Sequence, residues 1–197
     1  MLRRQLVTGL LMTVVLTVLL GFVYPLVVTG ISEAFMGNRA NGSVVKVNGK
    51  AVGSSLIGQS FADAKGNPIA KYFQPRPSAT SGSPYNGLAS GGSNLGPSNP
   101  TLISTVQQRV AAYRTFNHLA ANAEVPSDAV TASGSGLDPA ISLANARLQA
   151  ARVAQARGVS VDKVNQLIAE HTQGRQLGVL GEQTVNVLEL NLALDRM

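Results

Sequence analysis

Arg76 is the side chain of this chain whose setting most suggests a specific contact. It lies between Pro75 and Pro77, whose rings hold the local backbone extended and direct the guanidinium to one side. A guanidinium held in this way could grip a carboxylate of a partner protein. It could equally form a local salt bridge on the surface of its own fold, and the sequence leaves the two interpretations level.

A glycine-rich loop follows at residues 89–96 and contains Gly91, Gly92, Ser93 and Asn94. Glycines allow backbone N–H groups to converge on an anion such as a phosphate. However, the loop lacks the Lys and the following Ser or Thr with which a P-loop holds phosphate and magnesium. Because Gly, Ser and Asn also mark ordinary turns, a tight structural loop is favoured over a nucleotide cradle.

A second loop, residues 131–139, contains Ser133 and Ser135 and ends at Asp138 and Pro139. These residues precede a predicted helix, whose free N–H groups and dipole could receive an anion or a partner's carboxylate. The favoured interpretation is that Asp138 occupies this position itself as the helix N-cap.

Other kinds of chemistry receive no support from the sequence. The chain has no cysteine, which excludes disulfides, thiolate metal sites and a cysteine nucleophile. His118 and His171 lie far apart without a matching acid, and no serine elbow, zinc motif or Walker motif is present. The net charge is +6, but no Lys/Arg run occurs and aromatic residues make up only 5% of the chain. Neither an enzyme nor a nucleic-acid-binding protein is indicated.

The N-terminus is predicted to be a transmembrane helix over residues 6–30. No charged residue occurs from Gln5 to Ser32, and about 20 apolar residues suffice to cross a bilayer. A cleaved signal peptide is the alternative, but its apolar region is typically only about 7 to 15 residues, so a retained anchor is favoured. Arg3 and Arg4 precede the span, which places residues 1–5 in the cytoplasm and residues 31–197 in a soluble domain outside.

The soluble part is predicted to be a single α+β domain. Asn48-Gly49 predicts the turn of a β-hairpin, and the irregular stretch from Gly66 to Pro100 is expected to be an ordered, packed loop. Beyond it, periodicity and capping residues predict a helix from Pro100 to 120–122, one opened by Asp138 and Pro139 and ending at Gly158, one from Ser160 to Gly174, and a strand over residues 188–194.

Six blocks, taken in order with the N-terminal span, resemble the C subunit of the bacterial Kdp potassium-transporting ATPase. Each block is weak alone, but their order along nearly the whole chain is specific. The blocks are Ser55 to Phe61, Tyr72 to Ala79, Pro84 to Asn86, Ala89 to Leu95, Val130 to Asp138, and Val185 to Asp195.

The resemblance implies an accessory role in a larger complex at the bacterial inner membrane. In that complex a channel-like A subunit selects potassium, a P-type ATPase B subunit hydrolyses ATP, and a small single-span subunit accompanies them. The C subunit assists assembly or activity and is not itself an enzyme. Residues expected to contact a partner or ligand are Arg76, Gly91, Gly92, Ser93, Asn94, Ser133, Ser135 and Asp138.

The family is also described as a catalytic chaperone that raises the ATP affinity of the B subunit through a transient ternary complex with ATP. This conflicts with the orientation of the anchor, because ATP and the nucleotide domain of a P-type ATPase are cytoplasmic. The expectation is therefore that the domain lies over the potassium entrance of the A subunit, and that ATP acts through the ATPase subunit.

Overall fold

Seven α-helices, one π-helical turn and five short strands form two compact units, Met1–Val52 and Gly53–Met197. The computed structural model describes residues 1–197. In chain order the elements are α1 Leu2–Val18, a π-helical turn Leu19–Val23, α2 Tyr24–Ala40, β1 Val44–Val47, β2 Lys50–Ser54, α3 Pro100–Phe116, α4 Ser127–Val130, β3 Ala140–Ser142, α5 Leu143–Arg157, α6 Val161–Glu170, β4 Thr172–Gln173, β5 Thr184–Asn186 and α7 Val187–Leu194.

The N-terminal unit is dominated by one long helical stretch, Leu2–Ala40, which is long and apolar enough to cross a membrane and is kinked at Met36, where φ is −140°. Its 39 residues correspond to about 58 Å at 1.5 Å per residue, more than a hydrocarbon layer of about 30 Å requires. The π-helical turn Leu19–Val23 lies just before Pro25. Proline cannot donate the hydrogen bond that a regular helix requires at its position, which accounts for the local widening.

The hairpin predicted around Asn48-Gly49 is confirmed. β1 and β2 form a two-stranded sheet, and Asn48 and Gly49 have φ values of 50° and 77°. Positive φ at both central positions is the conformation of a type I′ turn, which Asn-Gly adopts readily.

The C-terminal unit is built on a three-stranded antiparallel sheet in the order β3-β5-β4. Val185 in the central strand is paired with Ile141 of β3 and Thr172 of β4. Helices α5, α6 and α7 complete the core, and the observed mixture confirms the predicted α+β class. The buried core consists of Phe73, Ile141, Ala146, Ala150, Val153, Ala154, Val164, Ile168, Val185, Val187, Leu190 and Leu194.

Most helix ends follow the predicted caps. Asn99 accepts a hydrogen bond from Thr101 N, Ser160 accepts one from Lys163 N, and Gly158 ends α5 with φ 68°. Two predicted ends were too late, because α3 stops at Phe116 and α6 at Glu170.

The predicted N-cap role of Asp138 is wrong. Helix α5 begins at Leu143 and is capped by Ser142, while Asp138 and Pro139 precede strand β3. Residues 140–142 are extended because they pair with β5, with Ile141 opposite Val185. This pairing with a distant segment overrides the local helix signal.

The strand predicted over residues 188–194 is also wrong, because α7 occupies Val187–Leu194 with Asn186 as its N-cap. Leu188, Leu190 and Leu194 are all buried, and Asn191 is buried among them. A helix that is apolar on nearly all sides shows no clear helical period, so alternating leucines gave a false strand signal. The intrinsic helix preference of Leu and Ala was the better guide.

The irregular segment before α3 is ordered and packed, as predicted. Asn191 Oδ1 accepts from Phe73 N at 2.8 Å and its Nδ2 donates to Phe73 O at 3.0 Å. Gln149 binds the next residue in the same way, accepting from Gln74 N at 2.7 Å and donating to Gln74 O at 3.0 Å. Two side-chain carboxamides thus satisfy this buried backbone as a neighbouring strand would.

Buried Arg152 secures the same segment from α5. Its side chain is only 3% exposed, and burial lowers its pKa to about 10, so it remains charged at neutral pH. The guanidinium lies 4.3 Å from the centre of the Phe116 ring. Its hydrogen-bond acceptors are Asn117 Oδ1, Gln149 Oε1 and the carbonyl oxygens of Ala70 and Tyr72.

Candidate functional site

The two loops that the sequence singled out, residues 89–96 and 131–139, lie against each other. Gly91 N donates to Ser135 O at 2.9 Å, and Ser90 Oγ donates to the same oxygen at 3.1 Å. Gly92 approaches Gly134 so closely that a Cβ added at Gly92 would lie 3.1 Å from Gly134 O. We call residues 76–92 and 133–138 the paired-loop site.

An ion pair closes the other end of the paired-loop site. Arg76 Nη1 donates to Asp138 Oδ2 at 2.9 Å, and the two side chains are 24% and 31% exposed. Asp138 Oδ1 also accepts from Ala140 N at 3.0 Å, at the start of β3. The structure therefore shows the local salt bridge for Arg76. Contact with a partner's carboxylate stays a prediction.

Ser78 is the central hydrogen-bonding group of the site. Its hydroxyl donates to Gly136 O at 2.8 Å and accepts from Tyr85 N at 2.9 Å. Tyr85 has φ 59°, an uncommon conformation for a bulky residue, and its hydroxyl donates to Arg76 O. Side-chain contacts on both sides hold this strained backbone in place.

Gly136 makes the close approach of the loops possible. Its φ is 68°, and a Cβ there would lie 2.7 Å from both Gly91 O and Thr80 Cγ2. Gly58 fills a similar role at the edge of the site, where its N–H donates to Leu137 O at 2.8 Å. A Cβ at Gly58 would lie 2.6 Å from Asp138 O. Only residues without side chains fit at these two positions.

Charge and burial shape the titration of the site. Burial raises the pKa of Tyr85, the Asp138 carboxylate raises it further, and Arg109 opposes both effects. Burial also lowers the pKa of Arg109, whose Nη1 donates to Val130 O at 3.0 Å. Around neutral pH the site thus contains the neutral phenol of Tyr85 beside the ion pair of Arg76 and Asp138.

The structure brings six of the eight predicted contact residues into the paired-loop site. Ser133 is buried, with its hydroxyl 3.4 Å from that of Ser135. Ser93 and Asn94 are exposed and do not bond to the site. The six that come together are Arg76, Gly91, Gly92, Ser133, Ser135 and Asp138.

Sequence reasoning missed the parts played by Ser78, Thr80 and Gly136. A signal was available in the spacing of Ser78 and Thr80 directly after Pro77, because hydroxyl side chains in such segments commonly bond nearby backbone. The hydroxyl of Ser78 lies 3.0 Å from that of Thr80, which donates to Ser83 O at 2.7 Å. For Gly136, nothing local distinguished it from Gly134.

The main hydrogen-bond donors of the paired-loop site are already bonded within the chain, which limits what the site can bind. The Gly91 N–H and the Arg76 Nη1 group already bond within the chain, so an anion would have to displace those contacts. No group of three or more His, Asp or Glu in the chain is arranged to hold a metal ion. The geometry suits a rigid surface that presents exposed loop residues, among them Ser81 to Pro84 and Leu88.

Comparison with known proteins matches the chain from end to end. The family model KdpC, described as the K+-transporting ATPase, c chain, matches residues 6–196. A potassium-transporting ATPase KdpC subunit of Mycobacterium tuberculosis is 55% identical over 195 residues, covering 99% of this chain and all of the relative. The KdpC subunit of Polynucleobacter asymbioticus is 54% identical, covering 92% and 93% of the two chains, and that of Koribacter versatilis is 49% identical, covering 98% and 95%.

Proposed function

Because the chain belongs to the KdpC family of K+-transporting ATPase c chains, we propose that it is an accessory, non-catalytic subunit of an ATP-driven potassium uptake complex. In this role it supports the assembly and activity of the subunits that conduct potassium and hydrolyse ATP. The observation that carries the proposal is the family match, which spans the apolar helix and the folded unit together.

The N-terminal helix is proposed to anchor the chain in the bacterial inner membrane as a single span. Arg3 and Arg4 lie on one side of the apolar segment, and the positive-inside rule then places the N-terminus in the cytoplasm. Residues 6–30 form the span, and residues 31–197 lie outside. The support is the charge distribution of the sequence together with one helix of sufficient length and apolarity.

The proposed partners are the channel-like A subunit, the P-type ATPase B subunit and a small single-span subunit. The outer domain would lie over the potassium entrance of the A subunit. Within the membrane, small residues spaced four apart on the helix would allow close approach to a partner helix. They are Gly9, Thr13, Thr17 and Gly21.

A direct role in ATP binding is the alternative, in which the paired-loop site forms a ternary complex with ATP and the B subunit. Two features favour the accessory role. The Gly91 N–H and Arg76 Nη1 are engaged within the chain, and an external domain would not meet cytoplasmic ATP. Saturable ATP binding by the full-length purified protein, weakened by substitution of Ser135 or Gly91, would support the alternative.

Potassium uptake in cells lacking their own c chain tests the proposal. Such cells should take up potassium at limiting concentrations when this chain is supplied with the A and B subunits. A chain without residues 1–30, exported by a cleavable signal, should fail to assemble and to restore uptake. If the truncated chain restores both, the anchor has no part in assembly and the proposal is wrong in that respect.

A chain whose residues 6–30 are replaced by an unrelated apolar span of equal length is the matched control. Close helix packing through the small residues predicts membrane location with weakened assembly for this chain. Full assembly would instead indicate that the helix serves only as a tether.

A further inference from the structure

The connection between β4 and β5 carries a cluster of exposed aliphatic side chains. Leu177, Val179 and Leu180 are 90%, 72% and 55% exposed, and they lie within four positions of one another. Single exposed apolar residues are common on soluble domains, whereas clusters mark contact surfaces. We call residues 175–182 the apolar tip.

The apolar tip is a structured hairpin. Gln176 N donates to Leu180 O at 2.8 Å, and Leu180 N donates to Gln176 O at 2.9 Å. Below this pair, Arg175 Nη2 lies 2.7 Å from Glu182 Oε2. Leu177 is held at φ 52°, a costly conformation for a branched side chain. The hairpin thus keeps a leucine exposed in a strained turn, although a glycine there would be more stable.

An open cleft of about 620 Å³ lies where the connection returns to the fold. Its lining includes Gln183, three positions after Leu180, together with Arg147 of α5 and Asn165 of α6. None of these three side chains makes a hydrogen bond or ion pair within the chain. No acidic residue lines the cleft, whose apolar and remaining polar lining comes from Leu143, Ile168, Ala169 and Thr172. The cleft therefore presents one unpaired cation and two free carboxamides above an apolar floor.

We infer that the apolar tip and this cleft form a docking surface for another subunit of the same potassium transporter, and the inference rests on the proposed accessory role. The partner surface would offer an apolar recess to Leu177 and Leu180 and an acidic side chain to Arg147. Charge complementarity favours an acidic side chain on the partner, because the Arg147 guanidinium has no carboxylate partner within the chain and can bind one through two parallel hydrogen bonds. Leu177, Leu180 and Arg147 are all exposed, so a partner could bury them together, and arginine is enriched among the interface residues that contribute most to binding.

A lipid surface fits the same residues less well. Segments that dip into a bilayer interface usually carry Trp or Tyr and unpaired basic residues. The connection contains no aromatic residue, its only cation, Arg175, is paired with Glu182, and Glu182 is itself exposed. Arg147 of the cleft is then the one unpaired basic residue of this surface, whereas anionic lipid surfaces are typically bound by clusters of basic residues. These features favour a protein partner.

Photo-cross-linking from position 177 in the full-length, membrane-anchored chain tests the surface directly. A photoreactive amino acid replaces Leu177, and the assembled transporter is irradiated in cells. Cross-linking to another transporter subunit is the expected result. Cross-links to lipid alone, or none, overturn the inference. The same amino acid placed at Ile103, which is 46% exposed on helix α3, shows whether exposure alone produces a cross-link.

Two variants measure the contribution of the surface. Leu177→Asp with Leu180→Asp, and separately Arg147→Glu, should each weaken retention of this chain by the purified complex about tenfold. Ile103→Asp, at an exposed position of α3, and Arg196→Gln are the controls and should have little effect. Thermal unfolding of each variant verifies that its fold is intact. If the unmodified chain fails to co-purify with the complex, the accessory role fails. If it co-purifies and the surface variants match the controls, this inference alone fails.

Discussion

Arg76 Nη1 lies 2.9 Å from Asp138 Oδ2, so one ion pair joins residues that are 62 positions apart in the chain. The second carboxylate oxygen of Asp138 accepts from Ala140 N, the first residue of β3. The pair thereby ties the proline-flanked segment to the edge of the central sheet. It defines the outer end of the paired-loop site, and its strength can be measured.

The ion pair between Arg76 and Asp138 should contribute a small but measurable coupling free energy to the stability of the fold. Because the side chains are 24% and 31% exposed, a double-mutant cycle of Arg76→Gln and Asp138→Asn should give a coupling free energy of about 1 kcal/mol in chemical unfolding. The Arg175–Glu182 pair is 45% and 78% exposed and should couple by only about 0.3 kcal/mol. Equal coupling in the two pairs would contradict the structural role given to Arg76.

Gly136 should tolerate no side chain. Gly136→Ala places a Cβ 2.7 Å from Gly91 O in a residue at φ 68°, so it should lower the free energy of unfolding by about 2 to 3 kcal/mol. Gly134→Ala is the matched control, because nothing lies within 4 Å of a Cβ there. Thermal or denaturant unfolding of the detergent-solubilised chain provides the measurement. Similar losses for both variants would refute the proposed close packing of the loops.

Asn191 should be essential to the fold. Asn191→Leu would leave Phe73 N and Phe73 O buried without partners, and each unsatisfied group costs about 1 to 3 kcal/mol. We therefore expect a loss of about 2 to 6 kcal/mol in the free energy of unfolding. Asn122→Leu, at an exposed position, should change the free energy of unfolding by less than about 0.5 kcal/mol. A small effect at Asn191 would show that water readily replaces the carboxamide.

Tyr85 should contribute to the loss of stability at alkaline pH. Burial raises its folded-state pKa, while in the unfolded chain tyrosine titrates near about pH 10. Above that pH the unfolded state releases a proton that the folded state keeps. The free energy of unfolding should therefore fall as pH rises towards the folded-state pKa, by up to about 1.4 kcal/mol per pH unit from this group.

Tyr85→Phe isolates this effect from the other titrating groups. At neutral pH the variant should be less stable by about 1 kcal/mol, because the hydrogen bond to Arg76 O is lost. The difference from the unmodified chain should narrow above about pH 10. Denaturant unfolding between about pH 8 and pH 11 measures it. Parallel curves would mean that Tyr85 titrates alike in both states.

Local signals in the sequence predicted local structure well. The Asn48-Gly49 turn and the caps at Asn99, Ser160 and Gly158 depend on one or two neighbouring residues, and they appear where expected. Strand β3 and helix α7 depend on pairing and packing with distant parts of the chain. Their short or all-apolar sequences carried no reliable period, so the predictions there were wrong.

The candidate site was only partly visible in the sequence for a similar reason. The sequence identified both loops, residues 89–96 and 131–139, but their mutual contact follows from the tertiary fold. The polar residues Asn145, Gln149 and Arg152 recur at helical spacing on the buried side of α5. Polar residues at this spacing indicate a helix face that hydrogen-bonds to the backbone of another segment and is not turned to solvent.

Locating the folded unit on one side of the membrane is the most direct test of the account. The proposed accessory role places this unit outside the cell membrane, whereas direct ATP binding requires it to lie in the cytoplasm. The chain has no cysteine, so Ser81→Cys, at an exposed position, creates a single reactive thiol. Leu2→Cys is the matched control at the N-terminus. The account predicts that a membrane-impermeant thiol reagent labels residue 81 in intact cells and residue 2 only after permeabilisation. Labelling of residue 2 in intact cells, with residue 81 protected, would contradict it.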